Sequence, residues 1–466
     1  MKKVLMIAHA FPPIGGIGAL RAVKFAKYLP DFGWQPVILT VAQSDSFMKD
    51  ASLLDELPPG TPIYRAHSWE PINAARVKQT TERLGGSTST GQSGVKQQLL
   101  ARLKPLYFAL RIPDDKVGWL PFGTRLGRQV LQQEAIDLIW ATAPPYTALL
   151  IGAGLKRAGG KPLITDYRDE WSSMQYQDYP TNPVTTFLNA QLERRVLRQS
   201  DYLVTANPGM ADNLRRAHLL TAATPHIDIM NGFDDADYVH NGALTHDGRF
   251  TIVYTGTLYG ERRSPKYFLH GLAQLLDVMP TARPQLRVCF VGTHYEQHVR
   301  LVEELKLTDV VEFVGMVPHQ MATQYQLMAD LLLLIVGNGP GSQVVFTGKL
   351  FEYLGARRPI LALAPLDGPA AKLIAETVTG YTVDSEDSAE IGQTLQQLYT
   401  AWQEQRFAYT PHTALVNQYS RRAAAEKLAA IFDQVAETAT TRATGMAAGI
   451  ATSQPPVAES VEGRHS

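Results

Sequence analysis

LLLLIVGNGPGSQVVFTGKLFEYLGARRPILALA, residues 331–364, holds the pattern from which the rest of the chain is read. Its first six residues are aliphatic without interruption, which suits a strand buried on both faces. A glycine-rich loop follows, then a helix expected from about Thr347, then a second apolar run at 360–364. Strand, helix and strand in that order form the unit of a parallel sheet covered by helices. Outward from this stretch the rhythm repeats. Strands are predicted at 251–254, 286–291 and 311–314 in the second half, and at 4–8, 36–41, 63–66, 138–141, 163–166 and 202–205 in the first. The first helix is predicted from about residue 19 to 29, with Leu20, Val23 and Ala26 as its apolar stripe and Arg21, Lys24 and Lys27 recurring every three positions. The fold class is therefore α/β, with two Rossmann-like domains whose parallel sheets face a shared cleft.

The halves are separated by IMNGFDDADYVHNGALTHDGR, residues 229–249, rich in turn and linker residues. The reading places one domain at 1–235 and a second at 236–418. The loop GGSTSTGQSG, 85–94, is flexible by composition. From Thr438 onward the chain lacks aromatic residues, so 438–466 is expected to be a disordered tail.

With 44 lysines and arginines against 44 acids, the 466-residue chain is neutral and lacks the basic excess of a nucleic-acid binder. A single cysteine, Cys289, excludes an intramolecular disulfide framework and a Cys-rich zinc site. Its setting, RVCFVG, suits a buried structural thiol. No apolar stretch reaches the roughly 18–20 residues that span a bilayer, and VLMIA near the start is too short for a signal peptide. The expectation is a cytoplasmic chain, or one held peripherally on the inner face of the membrane. VKQQLLARLKPLYFALR, 95–111, has four basic and no acidic residues around its leucines and aromatics. It suits an anionic membrane surface, although burial between domains explains the same leucines.

Four segments carry candidate chemistry. HAFPPIGGIGALR, from His9 to Arg21, follows the first strand. Gly15 and Gly16 allow close backbone approach, and the following helix N-terminus favours an anion; a plain tight turn is the competing reading. The third glycine of a dinucleotide fingerprint is replaced by Arg21, which weakens a nicotinamide reading. TDYRDEW brings Asp166, Arg168 and Asp169 to a strand's carboxyl end, to face the cleft or to cap and pair around the next helix. YTGTLYGERRSP repeats the strand–glycine–helix arrangement around Gly256. There Arg262 and Arg263 oppose the helix dipole unless an anion such as a diphosphate binds. Finally, Lys349 and Glu352 project from one face of the helix in the opening stretch. They form either a weak ion pair or a phosphate-binding lysine beside a ribose-binding glutamate. Asp235 and Asp237 form an Asp-x-Asp in the linker, but turn residues surround them and no metal is predicted.

In order along residues 2–435, FPPIGGIG, DYRDEW, MNGFD, YTGTLYG, FVG, VEFVGMVPH and GKLFEYLGARRPILAL resemble glycosyltransferase family 4, the group 1 glycosyltransferases. The resemblance implies the GT-B fold and a nucleotide diphosphate sugar donor held by the second domain. It also implies transfer with retention, no cofactor, and no essential metal. A final helix at 419–437 would cross back to the first domain. Met316 and Val317 would hold the base through their backbones. Arg262 and Lys349 would be the catalytic cations, and Gly256, Arg263 and Glu352 would help bind the donor. His9, Gly15, Gly16, Asp166, Arg168 and Asp169 would lie on the acceptor side. The sequence departs from the family where Thr257 stands in place of arginine and Val344 in place of the first acid of the paired-glutamate motif. The acceptor implied is a lipid-linked saccharide or another surface-polysaccharide precursor. A non-catalytic GT-B module binding a sugar nucleotide and a nucleotide-sugar epimerase are the alternatives.

Overall fold

The computed structural model describes residues 1–42, 50–69, 112–172, 183–258, 263–337, 348–407 and 409–451. The predicted flexible loop 85–94, the basic segment 95–111, Arg262 and Val344 lie outside the described residues.

In the first half the elements run β1 (Lys2–Ile7), α1 (Ile17–Tyr28), β2 (Trp34–Val41), β3 (Ile63–Ala66), α2 (Leu120–Gln133), β4 (Leu138–Ala143), α3 (Thr147–Gly159), β5 (Leu163–Tyr167), α4 (Pro183–Leu197), β6 (Tyr202–Thr205), α5 (Met210–Arg216) and β7 (His226–Asp228). The second half continues with β8 (Phe250–Thr255), α6 (Lys266–Val278), β9 (Leu286–Val291), α7 (Glu296–Glu304), β10 (Val311–Gly315), α8 (His319–Met328), β11 (Leu331–Ile335), α9 (Gly348–Ala356), β12 (Ile360–Leu363), α10 (Pro369–Thr377), β13 (Gly380–Val383), α11 (Ser388–Gln403), α12 (Thr413–Asn417) and α13 (Arg421–Ala451).

The strands form two sheets, ordered β3-β2-β1-β4-β5-β6-β7 and β10-β9-β8-β11-β12-β13, and all their pairings are parallel. Each half reverses its strand order beside its own first strand, which opens a crevice at the carboxyl ends of the strands. Apolar clusters cover both faces of each sheet, as continuous aliphatic strands require. The edge strands β7 and β13 were not foreseen. His226–Asp228 and Gly380–Val383 are short and partly exposed, so neither shows an apolar run.

The helix α13 packs back onto the first domain. Leu428 and Phe432 are buried in its core, and the Phe432 ring meets Trp34 edge-on at 5.2 Å. This helix runs on to Ala451, which corrects the expected disordered tail for residues 438–451. The missing aromatics gave no apolar stripe to read, but alanine is the strongest helix former. No helix among the described residues is long and apolar enough to cross a membrane.

Two strands of chain link the domains and are bonded to each other. The Phe233 N–H donates to the Tyr419 carbonyl at 3.1 Å, and the Arg421 N–H donates to the Phe233 carbonyl at 2.6 Å. A Cβ on Gly232 would fall 2.2 Å from the Tyr419 oxygen, so this approach requires glycine in MNGFD. Asp234 and Asp237 of the same linker reach α1. Lys24 Nζ lies 2.8 Å from Asp234, 2.7 Å from Asp237 and 2.6 Å from Glu56. His319, at the start of α8, stands 3.8 Å from Asp237 and is held above its usual pKa chiefly by that carboxylate.

Candidate functional site

At the carboxyl edge of the second sheet, β8, β9 and β10 lead to Gly256, Gly292 and Gly315, with φ of +115°, +134° and +83°. The Gly256 N–H donates to the Val291 carbonyl and the Gly292 N–H to the Gly315 carbonyl, each at 2.7 Å. A Cβ on Gly292 would lie 2.2 Å from the Gly256 oxygen, and one on Gly256 would lie 2.2 Å from Lys349 Cε. The glycines therefore permit both a left-handed exit and close packing that a side chain would block. Lys349, from the first turn of α9, lies against Gly256.

Lys349 Nζ donates to the Tyr254 hydroxyl at 2.5 Å, and that hydroxyl donates to the Thr257 carbonyl at 2.9 Å. Burial pushes the Lys349 pKa down to about 7; Arg263 acts in the same direction and Glu352 opposes it. Glu352 does not take Lys349 as a hydrogen-bonded partner. Its Oε2 accepts from Gln326 Nε2 at 3.4 Å, and the same Nε2 donates to Thr255 Oγ1 at 2.9 Å. The two residues three apart thus engage different groups, and the simple i,i+3 pair does not form. Arg263 lies just before α6, close enough to act on Lys349. Met316, exposed, and Val317, half-buried, connect β10 to α8. Sequence reasoning missed Tyr254 and Gln326 as partners. YTG marked the first segment, but nothing in it points to a lysine 95 residues away.

The corresponding edge of the first sheet is closed by its own charges. Gly16, with φ +95°, caps α1, and its carbonyl accepts from the Ala19 and Leu20 N–H groups. Gly15 precedes it, half-buried. Arg168 packs so tightly against Gly18 that a Cβ there would fall 2.1 Å from Nη1. Its guanidinium donates to the Ala143 carbonyl at 3.2 Å and to the Pro144 carbonyl. FPPIGGIG and DYRDEW therefore meet in space. Asp166 corrects the expected acceptor-side role. It is fully buried and binds Arg21 through two contacts, at 3.0 and 2.7 Å, and accepts from Thr142 Oγ1 at 2.6 Å. A carboxylate at that depth needs a cation, which explains arginine at the third-glycine position. Asp169 is half-buried, and burial pushes its pKa up. His9 is buried, its ring edge-on to Trp119 at 5.2 Å.

Glu56, Asp234 and Asp237 bring carboxylate oxygens within 4.8 Å of one another, close enough to hold a cation. The ammonium of Lys24 fills that place. Asp235 turns away to Arg357, at 3.3 Å. Cys289 is buried in β9, and burial pushes its thiol up to about 11.

Two family models divide the chain where the sheets do. Glycosyl transferase 4-like domain matches residues 15–226, and Glycosyl transferases group 1 matches 249–401. The chain belongs to the group 1 glycosyltransferases. This group 1 glycosyltransferase is accordingly a glycosyl-transfer enzyme. Sucrose-phosphate synthase from Thermosynechococcus elongatus is similar over 93% of this chain and 99% of its own, at 16% identity and TM-score 0.60. HepE of Anabaena, in complex with UDP and glucose, is similar over 94% and 99%, at 17% identity and TM-score 0.56. A glycosyltransferase from Rickettsia africae is similar over 93% and 98%, at 12% identity and TM-score 0.57. At these identities the likeness establishes the GT-B fold. No curated protein matches the chain in sequence.

Proposed function

We propose that this glycosyltransferase moves a sugar, with retention, from a nucleoside diphosphate sugar to a lipid-linked saccharide or another surface-polysaccharide precursor at the inner face of the cytoplasmic membrane. The observation that carries the donor assignment is Lys349, a half-buried ammonium resting on a neutral phenol and packed against the strand-end Gly256. Burial alone makes its charge unfavourable, and a diphosphate would stabilise it. The likeness in fold to HepE, whose structure holds UDP, supports the same reading.

In this mechanism the bond from the sugar's anomeric carbon to the diphosphate oxygen breaks, and one to an acceptor hydroxyl forms on the same face. Lys349 and Arg262 oppose the charge growing on the departing diphosphate, a preorganised electrostatic contribution of the kind that usually dominates. Gly256 gives the phosphates backbone access and Arg263 adds charge. Glu352, held by Gln326, takes the ribose hydroxyls, and the backbone at Met316 and Val317 takes the base. The acceptor enters past His9, Gly15 and Gly16, with Arg168 and Asp169 behind them. A donor phosphate oxygen receives the acceptor proton. The proposal assigns no metal or cofactor, because lysine and arginine supply the positive charge.

The test is a screen of nucleotide sugars, with and without membrane lipid extract, scored by nucleotide release. Release requiring one donor and the extract is expected, and the product's anomeric coupling in NMR decides retention. Binding without release under every condition would favour the non-catalytic module. Conversion of the donor without an acceptor would favour the epimerase.

A further inference from the structure

The first domain has a face used by neither the cleft nor α13. Between α2, α3 and α4 runs a groove of about 680 Å³, with Leu120, Leu150, Leu192 and Val196 on its apolar walls. Arg128, Arg157 and Arg195 line it too, and Arg125 lines the adjoining hollow. All four arginines are exposed, and among the described residues no carboxylate lines either depression. The acids of the neighbouring elements are already engaged: Glu134 with Lys3, Asp201 with Lys156, and Glu193 with the Ser172 N–H and hydroxyl. In a chain of zero net charge, this is a local concentration of cations without counter-charges among the described residues.

Beside the arginines stand apolar side chains in water. Val184, Phe187 and Leu188 are 65%, 61% and 41% exposed and share one face of α4, while Phe122 on α2 is 39% exposed. The topology orders these groups. In a parallel sheet the helices α2 and α4 both begin at the carboxyl edge, where the cleft lies. The apolar residues occupy the first turns. Arg125 and Arg128 follow Phe122 by about 5 and 9 Å along α2, and Arg195 follows the apolar residues of α4 by about 10–16 Å. An apolar edge backed by a cationic band matches the layering of a bilayer, in which the acyl boundary lies beneath phosphate headgroups.

We infer that this face docks the protein on an anionic lipid bilayer. Phe122, Val184, Phe187 and Leu188 enter the acyl boundary, and Arg125, Arg128, Arg157 and Arg195 bind lipid phosphates. The inference stands apart from the transferase reading, since vesicle binding needs neither donor nor acceptor. It also differs from contact through 95–111, because it assigns the affinity to these helices.

The experiment is co-sedimentation of the full chain with vesicles of phosphatidylcholine alone and of phosphatidylcholine mixed with phosphatidylglycerol. Preferential binding to the anionic vesicles is expected, weakened on the order of a hundredfold in R128E/R157E/R195E. The pair F187D/L188D should weaken it about tenfold. Thermal melts of both variants should match the parent, since the altered side chains are exposed. Phe187→Cys supplies an independent readout, because Cys289 is buried and a polarity-sensitive label then reports position 187 alone. Its emission should shift to the blue on anionic vesicles. Equal binding to both vesicle types, full binding by the arginine variant, or an unshifted label would overturn the inference. Capture by soluble polyglutamate without vesicle binding would do the same, assigning the face to an acidic protein.

Discussion

At the carboxyl edge of the first sheet, Arg21 and Asp166 face each other fully buried, and Arg168 is bonded to backbone carbonyls. At the matching edge of the second, Lys349 rests on the neutral hydroxyl of Tyr254. Both edges begin as strand, glycine and helix, and both bring cations to a helix start. In the first, Arg21 and Asp166 neutralise each other and the Arg168 guanidinium is spent on backbone carbonyls. In the second, burial has already pushed the lysine down to about 7, so the diphosphate of the proposed donor would restore a charge the fold disfavours. The same strand–glycine–helix pattern thus leads to a buried ion pair at one edge and to a lysine on a phenol at the other.

The sharpest way to break this comparison is Asp166→Ala. It leaves Arg21 buried and unpaired, and stability measured by urea unfolding should fall by about 3–5 kcal/mol. Unchanged stability with lost turnover would return Asp166 to the acceptor site. Lys349→Ala should act in the opposite sense. Turnover should fall roughly 100- to 1000-fold, about 3–4 kcal/mol of barrier, with the melting temperature held or raised because a desolvated ammonium is removed. A protein that melts early and still turns over would give Lys349 the structural role.

The smallest effect sharpens the contrast by pH. Above about pH 7 the free protein increasingly carries neutral Lys349. A bound diphosphate favours the ammonium and raises its pKa, so binding takes up a proton. Affinity for the nucleotide sugar should therefore weaken as pH rises above 7, approaching tenfold per unit, about 1.4 kcal/mol. Calorimetry in buffers of different ionisation enthalpy would detect the uptake. A pH-independent affinity without uptake would remove Lys349 from the phosphates.

Much of this was readable in the chain. Runs such as Leu331–Ile335 have no polar interruption, so the parallel sheets follow from solvent exclusion alone. The edge strands His226–Asp228 and Gly380–Val383 were missed because partial exposure leaves no such run. The helix beyond residue 437 was missed because its alanines form a helix without needing a core. In the candidate site, Lys349 and Glu352 were marked by their spacing at a strand's end. Asp166 was marked for the same reason and proved to be a structural partner of Arg21.

The alternation of strands and helices, the two domains and the places where strand-end loops fall are local matters of apolar run, turn residue and helical spacing, and the chain's pattern carries them. The allocation of charges is not local. Arg21 and Asp166 are 145 residues apart, Lys349 and Tyr254 are 95 apart, and Lys24 and Asp234 are 210 apart. Whether a cation meets a carboxylate, a phenol or open space depends on Coulomb and desolvation energies that change within a few ångströms. Those distances exist only once the sheets have folded and the two linking strands have joined the domains.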